Sequence, residues 1–169
     1  TDVWQLDFSC SDLRPHGLVR YRYAKASCYD YLSAWIEHIA LNAVKTHGAA
    51  DRRLRWFSRD GCFELRPIED ARQQLHILLD LYRQGLSLPL HFYPRSAWAF
   101  VSHAMSHAEA AKVWYPDNFN GLGESLDPAY QLALRGVSEA LDEDFKSNAE
   151  MVFSPLFAAL CTDTIEGRA

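Results

Sequence analysis

The chain has 169 residues, 49% of them hydrophobic and 23% charged, and a formal net charge of −5. That balance supports a substantial packed core and excludes a disordered segment, and no apolar run approaches the roughly 20 residues a bilayer-spanning helix needs. Basic residues slightly outnumber acidic ones up to Arg95 and are heavily outnumbered after it, which suits one piece of an assembly better than a free-standing DNA binder with a concentrated basic face.

Trp4, Leu6 and Phe8 alternate with Gln5 and Asp7, predicting a half-buried strand. Cys10 to His16, with Pro15, reads as a loop. Val19, Tyr21 and Tyr23 then alternate with Leu18, Arg20 and Arg22, a second strand antiparallel to the first. Ser27 and Asp30 form an S-x-x-D helix start, in which each side chain can accept from a free N–H of the first turn. Leu32, Trp35, Ile36, Ile39, Ala43 and Val44 follow at helical spacing, and Gly48 suits the stop.

Leu54 to Phe57 and Cys62 to Leu65 flank Ser58-Arg59-Asp60-Gly61. The Asp-Gly pair predicts a hairpin, because both turn positions tolerate positive φ. Pro67, Glu69 and Asp70 open a second helix, carried by Leu75, Leu78, Leu79 and Tyr82 and ended near Gly85. Leu88, Leu90 and Phe92 alternate as a short strand closed by Pro94, and an Ala-rich helix runs from Ser96 to Trp114. A loop covers Pro116 to Gly123, and short helices follow at Pro128–Arg135 and Ser138–Phe153. Strands gathered towards the front predict an α+β fold, a mixed sheet with flanking helices.

Cys10, Cys28, Cys62 and Cys161 form no C-x-x-C pair. They read as reduced core thiols of a cytoplasmic protein rather than as metal ligands. No signal peptide is visible; Thr1 in place of Met points to an excised fragment, and Ile165-Glu166-Gly167-Arg168 resembles a protease-linker sequence. His103 and His107 stand at the i, i+4 spacing of two metal ligands, but Glu109 lies off that face and a solvated helix face is the better reading. His38, inside the Trp35/Ile39 stripe, reads as a helix-surface or core-edge residue. Asp142-Glu143-Asp144 suits a helix dipole, or alternatively a docking face. No G-x-S-x-G and no Gly-rich phosphate loop is present, so no nucleotide or other cofactor is expected.

Two basic clusters stand out. Arg52, Arg53, Arg55 and Arg59 interleave with Trp56 and Phe57 around the second hairpin. Such a pattern could hold a single strand by phosphate pairing and base stacking, or could be a solvated hairpin with its aromatics in the core. Arg14, Arg20, Arg22 and Lys25 make a weaker cluster on the first hairpin.

Four stretches resemble the C-terminal region of the RecC family, the gamma subunit of exodeoxyribonuclease V. They are Ser33-Ala34-Trp35-Ile36-Glu37-His38-Ile39-Ala40-Leu41-Asn42-Ala43; Leu81 through Trp98, with Tyr82-Arg83-Gln84-Gly85 and His91-Phe92-Tyr93-Pro94-Arg95-Ser96; Gly123-Glu124-Ser125-Leu126-Asp127 followed by Arg135-Gly136; and Phe153-Ser154-Pro155-Leu156-Phe157. They span most of residues 17 to 158, and the second is the most specific.

The resemblance implies a restriction-endonuclease-like PD-(D/E)XK core that has lost its active site, occupying residues 1–158 with a tail at 159–169. It implies partners RecB and RecD, DNA in the complex, ATP and Mg²⁺ bound by other subunits, and no membrane. It also raises Arg52, Arg53, Arg55, Arg59, Arg20, Arg22 and Lys25 as DNA-contacting residues. The function implied is a non-catalytic interaction module of a DNA-repair helicase–nuclease. An active enzyme of that fold needs a carboxylate on one strand and a D/E-x-K on the next, to hold Mg²⁺ and support the attacking water. Here Asp7 and Lys25 are present, but Tyr23 stands where the second carboxylate belongs and Arg22 would repel a cation. A divergent Mg²⁺-dependent nuclease using Asp7 and Lys25 is the alternative. A free-standing DNA-binding domain is a third reading, and the net charge of −5 counts against it.

Overall fold

In the computed structural model, which describes residues 5–44, 51–116 and 123–161, the front of the chain builds a five-stranded mixed sheet. Its strands are β1 (Leu13–Arg14), β2 (Gly17–Tyr21), β3 (Leu54–Ser58), β4 (Gly61–Leu65) and β5 (Leu160–Cys161), lying in that order across the sheet. β2 and β3 are parallel, and every other neighbouring pair is antiparallel. Helix α1 (Cys28–Ala43) makes the crossover that parallel pairing requires. The chain divides into two compact units, one of residues up to Leu75 with those from Ala159 on, the other His76–Ala158. Helix α2 (Ala71–Gly85) carries the chain from the first to the second.

The S-x-x-D signal starts α1 as expected. The Asp30 carboxylate accepts from the Ser27 backbone N–H at 2.8 Å and its hydroxyl at 2.7 Å. On the sheet, Leu18, Leu54 and Leu65 stand in register and are fully buried. Trp56 and Phe63 form the next row, with ring centroids 5.9 Å apart, and Tyr31 of α1 stacks on Phe63 at 4.1 Å. One face of the sheet is therefore roofed by α1, and each buried side chain of Leu or Phe size contributes about 1.5–3 kcal/mol. The predicted stripe of α1 is rotated: Trp35 and Ile39 are buried, but Ile36 and Val44 are exposed. Ala34, His38, Leu41 and Asn42 are buried in their place. The expected stop at Gly48 lies outside the described residues.

His38 is fully buried, not a surface or core-edge residue. Its Nε2–H donates to the Arg66 carbonyl at 2.8 Å, just beyond β4. Asn42 donates to the carbonyls of His38 at 2.8 Å and Arg52 at 3.1 Å, and accepts from the Ile68 N–H at 3.4 Å. Two polar side chains thus tie α1 to both ends of the second hairpin. Burial holds the His38 imidazole below the ordinary histidine value, against the smaller opposing pull of the Arg66 carbonyl. The unfolded chain therefore takes up this proton first as pH falls through about 6.5. Stability of the first unit is expected to fall below that pH, by at most about 1.4 kcal/mol per pH unit, and to level off under the folded-state value. Urea midpoints measured between pH 8 and pH 5 test this, and His38→Gln must flatten the profile; an unchanged slope in that variant would sink the assignment.

The first predicted strand is corrected. Trp4 lies outside the described residues, while Gln5 to Phe8 carry no strand and are exposed. β2 is already flanked by β1 and β3, so no open edge of it remains for that segment to pair with. The Leu13–Arg14 strand instead falls inside the predicted loop, and β2 stops at Tyr21. The second hairpin forms as predicted, but its turn is shifted by one residue. Ser58 pairs with Gly61, leaving Arg59 and Asp60 as the turn, and Gly61 alone of these takes positive φ, at 143°.

The second unit is helical, with α3 (Pro94–Ser102), α4 (His107–Trp114), a 3₁₀ turn at Glu124–Leu126, α5 (Pro128–Ala133) and α6 (Glu143–Ala159), whose last residue enters the first unit. The strand predicted over Leu88 to Phe92 is absent; Leu88 is exposed, and Phe92 lies against Phe153 with centroids 5.8 Å apart. The long Ala-rich helix is two helices, broken where Ala104 and Met105 take φ of 53° and 62° and Ser106 caps α4 through the Glu109 N–H. α6 starts later than expected and runs through Pro155, held by buried Val152, Phe153 and Leu156. Tyr93 centres the core, with ring centroids 4.1 Å from Trp114, 5.1 Å from Tyr130 and 5.7 Å from Phe145. Among the described residues no helix is long and apolar enough to cross a membrane.

Candidate nucleic-acid interface

The face of the sheet turned away from α1 follows from strand alternation. On β3, Leu54 and Trp56 are buried, whereas Arg55 and Phe57 are exposed; exposed Arg53 stands just before the strand and exposed Arg59 just after it in the turn. On β2, Tyr21 stands in register with Phe57 and is 80% exposed; Phe57 is 44% exposed. The outer face thus carries Arg55 and Phe57, with Tyr21 beside Phe57, Arg53 reaching Glu64 at the start of the strand and Arg59 exposed in the turn at its end. The Trp56-Phe57 pair is split by the pleat, one ring serving the core and the other facing solvent.

The seven predicted DNA-contacting residues divide by this geometry. Arg53 and Arg55 share the outer face, and Arg59 lies exposed in the turn. Glu64, opposite Arg55, accepts from Arg55 Nε at 2.7 Å and Arg53 Nη1 at 3.2 Å; Arg53 also meets Asp51 at 3.1 Å. Arg59 makes no ion pair among the described residues; its backbone N–H donates to Ala24. Exposed pairs of this kind stabilise by about 0–1 kcal/mol, so a phosphate can compete for these guanidinium groups. Arg20 lies on the inner face, 2.8 Å from Glu37 of α1. Arg22 holds both oxygens of Asp30 at 2.7 and 2.9 Å. Burial raises the Asp30 pKa, but Ser27 and Arg22 outweigh it and keep the carboxyl below the usual range. Lys25 is exposed in the loop after β2, which is pinned by the Ala26 N–H to Asp60 at 2.9 Å. Arg52 precedes β3, half-buried and out of the row. Of the remaining first-hairpin cluster, Arg14 pairs with Asp12 at 3.5 Å.

The other candidate groups take local roles. Asp7 sits in the exposed segment before β1, bonded to Gln5 at 3.3 Å. His103 and His107 are not on one helix face: His103 ends α3, bonded to the Ala99 carbonyl at 3.0 Å, and His107 begins α4, 3.2 Å from the Leu141 carbonyl. No group of three or more His, Cys, Asp and Glu side chains among the described residues is placed to hold a metal ion. The four cysteines form no disulfide with one another and are intermediate in exposure, not in the core as expected. Asp142 caps α6 through the Phe145 N–H at 2.9 Å and holds His91 Nδ1 at 2.8 Å. Burial opposes its charge, yet those partners leave its pKa lowered. His91 borders a cleft of about 630 Å³, lined also by Arg83, Leu88, Asp144, Asn148 and Met151.

Sequence reasoning named the arginines of the second hairpin but missed the Tyr21–Phe57 pair beside them. The two-residue spacing of Arg53, Arg55, Phe57 and Arg59 against Leu54, Trp56 and Ser58 was the available signal. The register joining β2 to β3 was not available, since it depends on a parallel crossover.

Comparison with known proteins matches residues 1–104 to the RecC C-terminal domain family. The chain is also 27% identical over 180 aligned residues to "RecBCD enzyme subunit RecC" of Escherichia coli (strain K12), covering 90% of this chain and 16% of that protein.

Proposed function

The chain belongs to the RecC C-terminal domain family, and from that premise we propose that it is a non-catalytic module of a RecBCD-type helicase–nuclease. In this reading it docks the RecB and RecD subunits and guides a separated DNA strand during double-strand-break repair in the cytoplasm. ATP and Mg²⁺ are held by other subunits, and the sheet with α1 belongs to an inactivated PD-(D/E)XK core. The family match carries the reading. Its support from geometry is the second hairpin, where Arg53, Arg55 and Arg59 are all exposed around the outward-facing Phe57. Arg20, Arg22, Lys25 and Arg52 complete the proposed DNA-contacting set, those engaged by carboxylates being available only by exchange. The placement of Asp7 on an exposed segment, off any strand, weighs against the nuclease alternative with Lys25, because metal-assisted hydrolysis needs carboxylates fixed on a rigid support.

Size-exclusion chromatography of this chain with RecB and RecD from the same source tests the proposal. Co-elution without Mg²⁺-dependent cleavage of DNA by the chain alone is the expected result. Cleavage that disappears in both Asp7→Ala and Lys25→Ala would replace it with the nuclease reading.

A further inference from the structure

We propose that Tyr21 and Phe57 form a stacking platform for the bases of single-stranded DNA, with Arg55 and Arg59 taking the backbone phosphates beside it. The proposal deepens the strand-guiding reading and relies on it only for the ligand being DNA.

Tyr21 and Phe57 are partners in the β2–β3 ladder, so their Cα atoms sit on neighbouring strands about 4.8 Å apart and their rings leave the same face. Both rings face solvent, Tyr21 at 80% and Phe57 at 44% exposure, although the same strands bury Leu18, Leu54 and Trp56 completely or nearly so. An aromatic pair in register on an open sheet face offers adjacent π-surfaces, and every base has a π-face to match them. The platform is fixed from below: the Arg22 N–H donates to the Phe57 carbonyl at 2.9 Å and the Arg59 N–H to the Ala24 carbonyl at 3.0 Å, extending the alignment past the end of β2.

Charge selects the ligand. Arg53 and Arg55 share the carboxylate of Glu64, Arg53 also meeting Asp51, and exposed Arg59 adds a third guanidinium group at the turn with no ion pair among the described residues. Alternate residues on a strand are roughly 6.6 Å apart, so Arg55 lies beside Phe57 on the same face, and Arg59 follows two residues later in the exposed turn. A polyanion whose bases are unpaired meets both the cations and the rings. A duplex keeps its bases stacked inside and meets only the cations.

Fluorescence anisotropy with labelled oligo(dT), and with the same strand paired to oligo(dA), is the test. The chain is expected to prefer the single strand. Tyr21→Ala and Phe57→Ala should each weaken binding roughly 5- to 100-fold without changing its salt dependence. Arg59→Ala should instead reduce the slope of log affinity against log salt by about 1. Circular dichroism of the variants establishes that they fold. Equal affinity for both DNA forms, or unchanged binding in both aromatic variants, overturns the platform. So does a result in which Tyr21→Ala and Phe57→Ala abolish RecB or RecD association and leave oligo(dT) binding intact, since the face would then be a protein interface. Loss of oligo(dT) binding with partner association retained in the parent chain removes the platform but not the module. Retained oligo(dT) binding without partner association does the reverse.

Discussion

Glu124→Ala is expected to destabilise the helical unit by about 3 kcal/mol, more than any surface substitution can. Glu124 is 4% exposed, and its carboxylate accepts from the Arg95 N–H at 3.1 Å, the Ser96 N–H at 2.7 Å and the Ser96 hydroxyl at 2.7 Å. Those backbone groups belong to the first turn of α3, where N–H groups have no partner within the helix and the dipole favours negative charge. Tyr93, at the cap position, supplies no side-chain bond, so the distant carboxylate is the cap. Removing it strands two backbone donors beside fully buried Ser96. Glu124→Gln keeps one acceptor but turns an amide donor towards a donor, and should cost about half as much. Urea denaturation, with hydrogen exchange at the α3 amides as a local readout, distinguishes the three proteins. An alanine variant within about 0.5 kcal/mol of the parent would mean the carboxylate is not holding the turn.

Gly17→Ala is expected to cost about 3 kcal/mol or more in the sheet unit. Gly17 has φ of 111°, a region where a side chain is strained. Its added Cβ would lie 2.4 Å from the Arg53 carbonyl oxygen. That oxygen accepts the Leu18 N–H at 2.8 Å, the bond that begins the parallel pairing of β2 with β3. Relieving the overlap therefore moves one strand from the other at the row of Leu18 and Leu54. Gly61→Ala separates the two effects, because Gly61 has φ of 143° and no atom within 4 Å of an added Cβ. It should cost about 1 kcal/mol, from backbone strain alone. Denaturation midpoints of the two variants measure the difference, and equal losses would leave the clash without energetic weight.

Both sites show what the sequence did and did not disclose. Elements with a local cause were legible: Ser27 with Asp30 announces α1, Ser58 to Gly61 the hairpin, and Leu75, Leu78 and Leu79 the helix α2. Elements whose existence depends on a distant partner were not. Leu6/Phe8 and Leu88/Leu90/Phe92 alternate as well as β2 does, but no strand edge receives them. The break at Ala104 and Met105 has no glycine or proline to announce it. Three of the four stretches that carried the family resemblance meet in space, Glu124 at the Arg95-Ser96 turn and Trp98 against Phe153 and Phe157, with centroids 5.6 and 4.7 Å away. Their spacing follows no period, so pattern alone gives no reason for their pairing. At the candidate interface, composition drew attention to the second hairpin, and only the register separated outward Phe57 from inward Trp56.

The position of β5 governs how this chain is made as well as how it stands. Leu160 and Cys161 pair with Leu65 and Glu64 of β4, so the sheet takes its fifth strand from the far side of the whole His76–Ala158 unit. On the ribosome, the first sheet-forming segment must wait with that edge open until the inserted helices have emerged. The helical unit, continuous in sequence, can close on itself earlier. A break in the chain after Leu75 would leave β4 a permanent template for another molecule's strand. Separate expression of the two units would thus require the last strand to be moved next to β4, by permuting the chain rather than by cutting it.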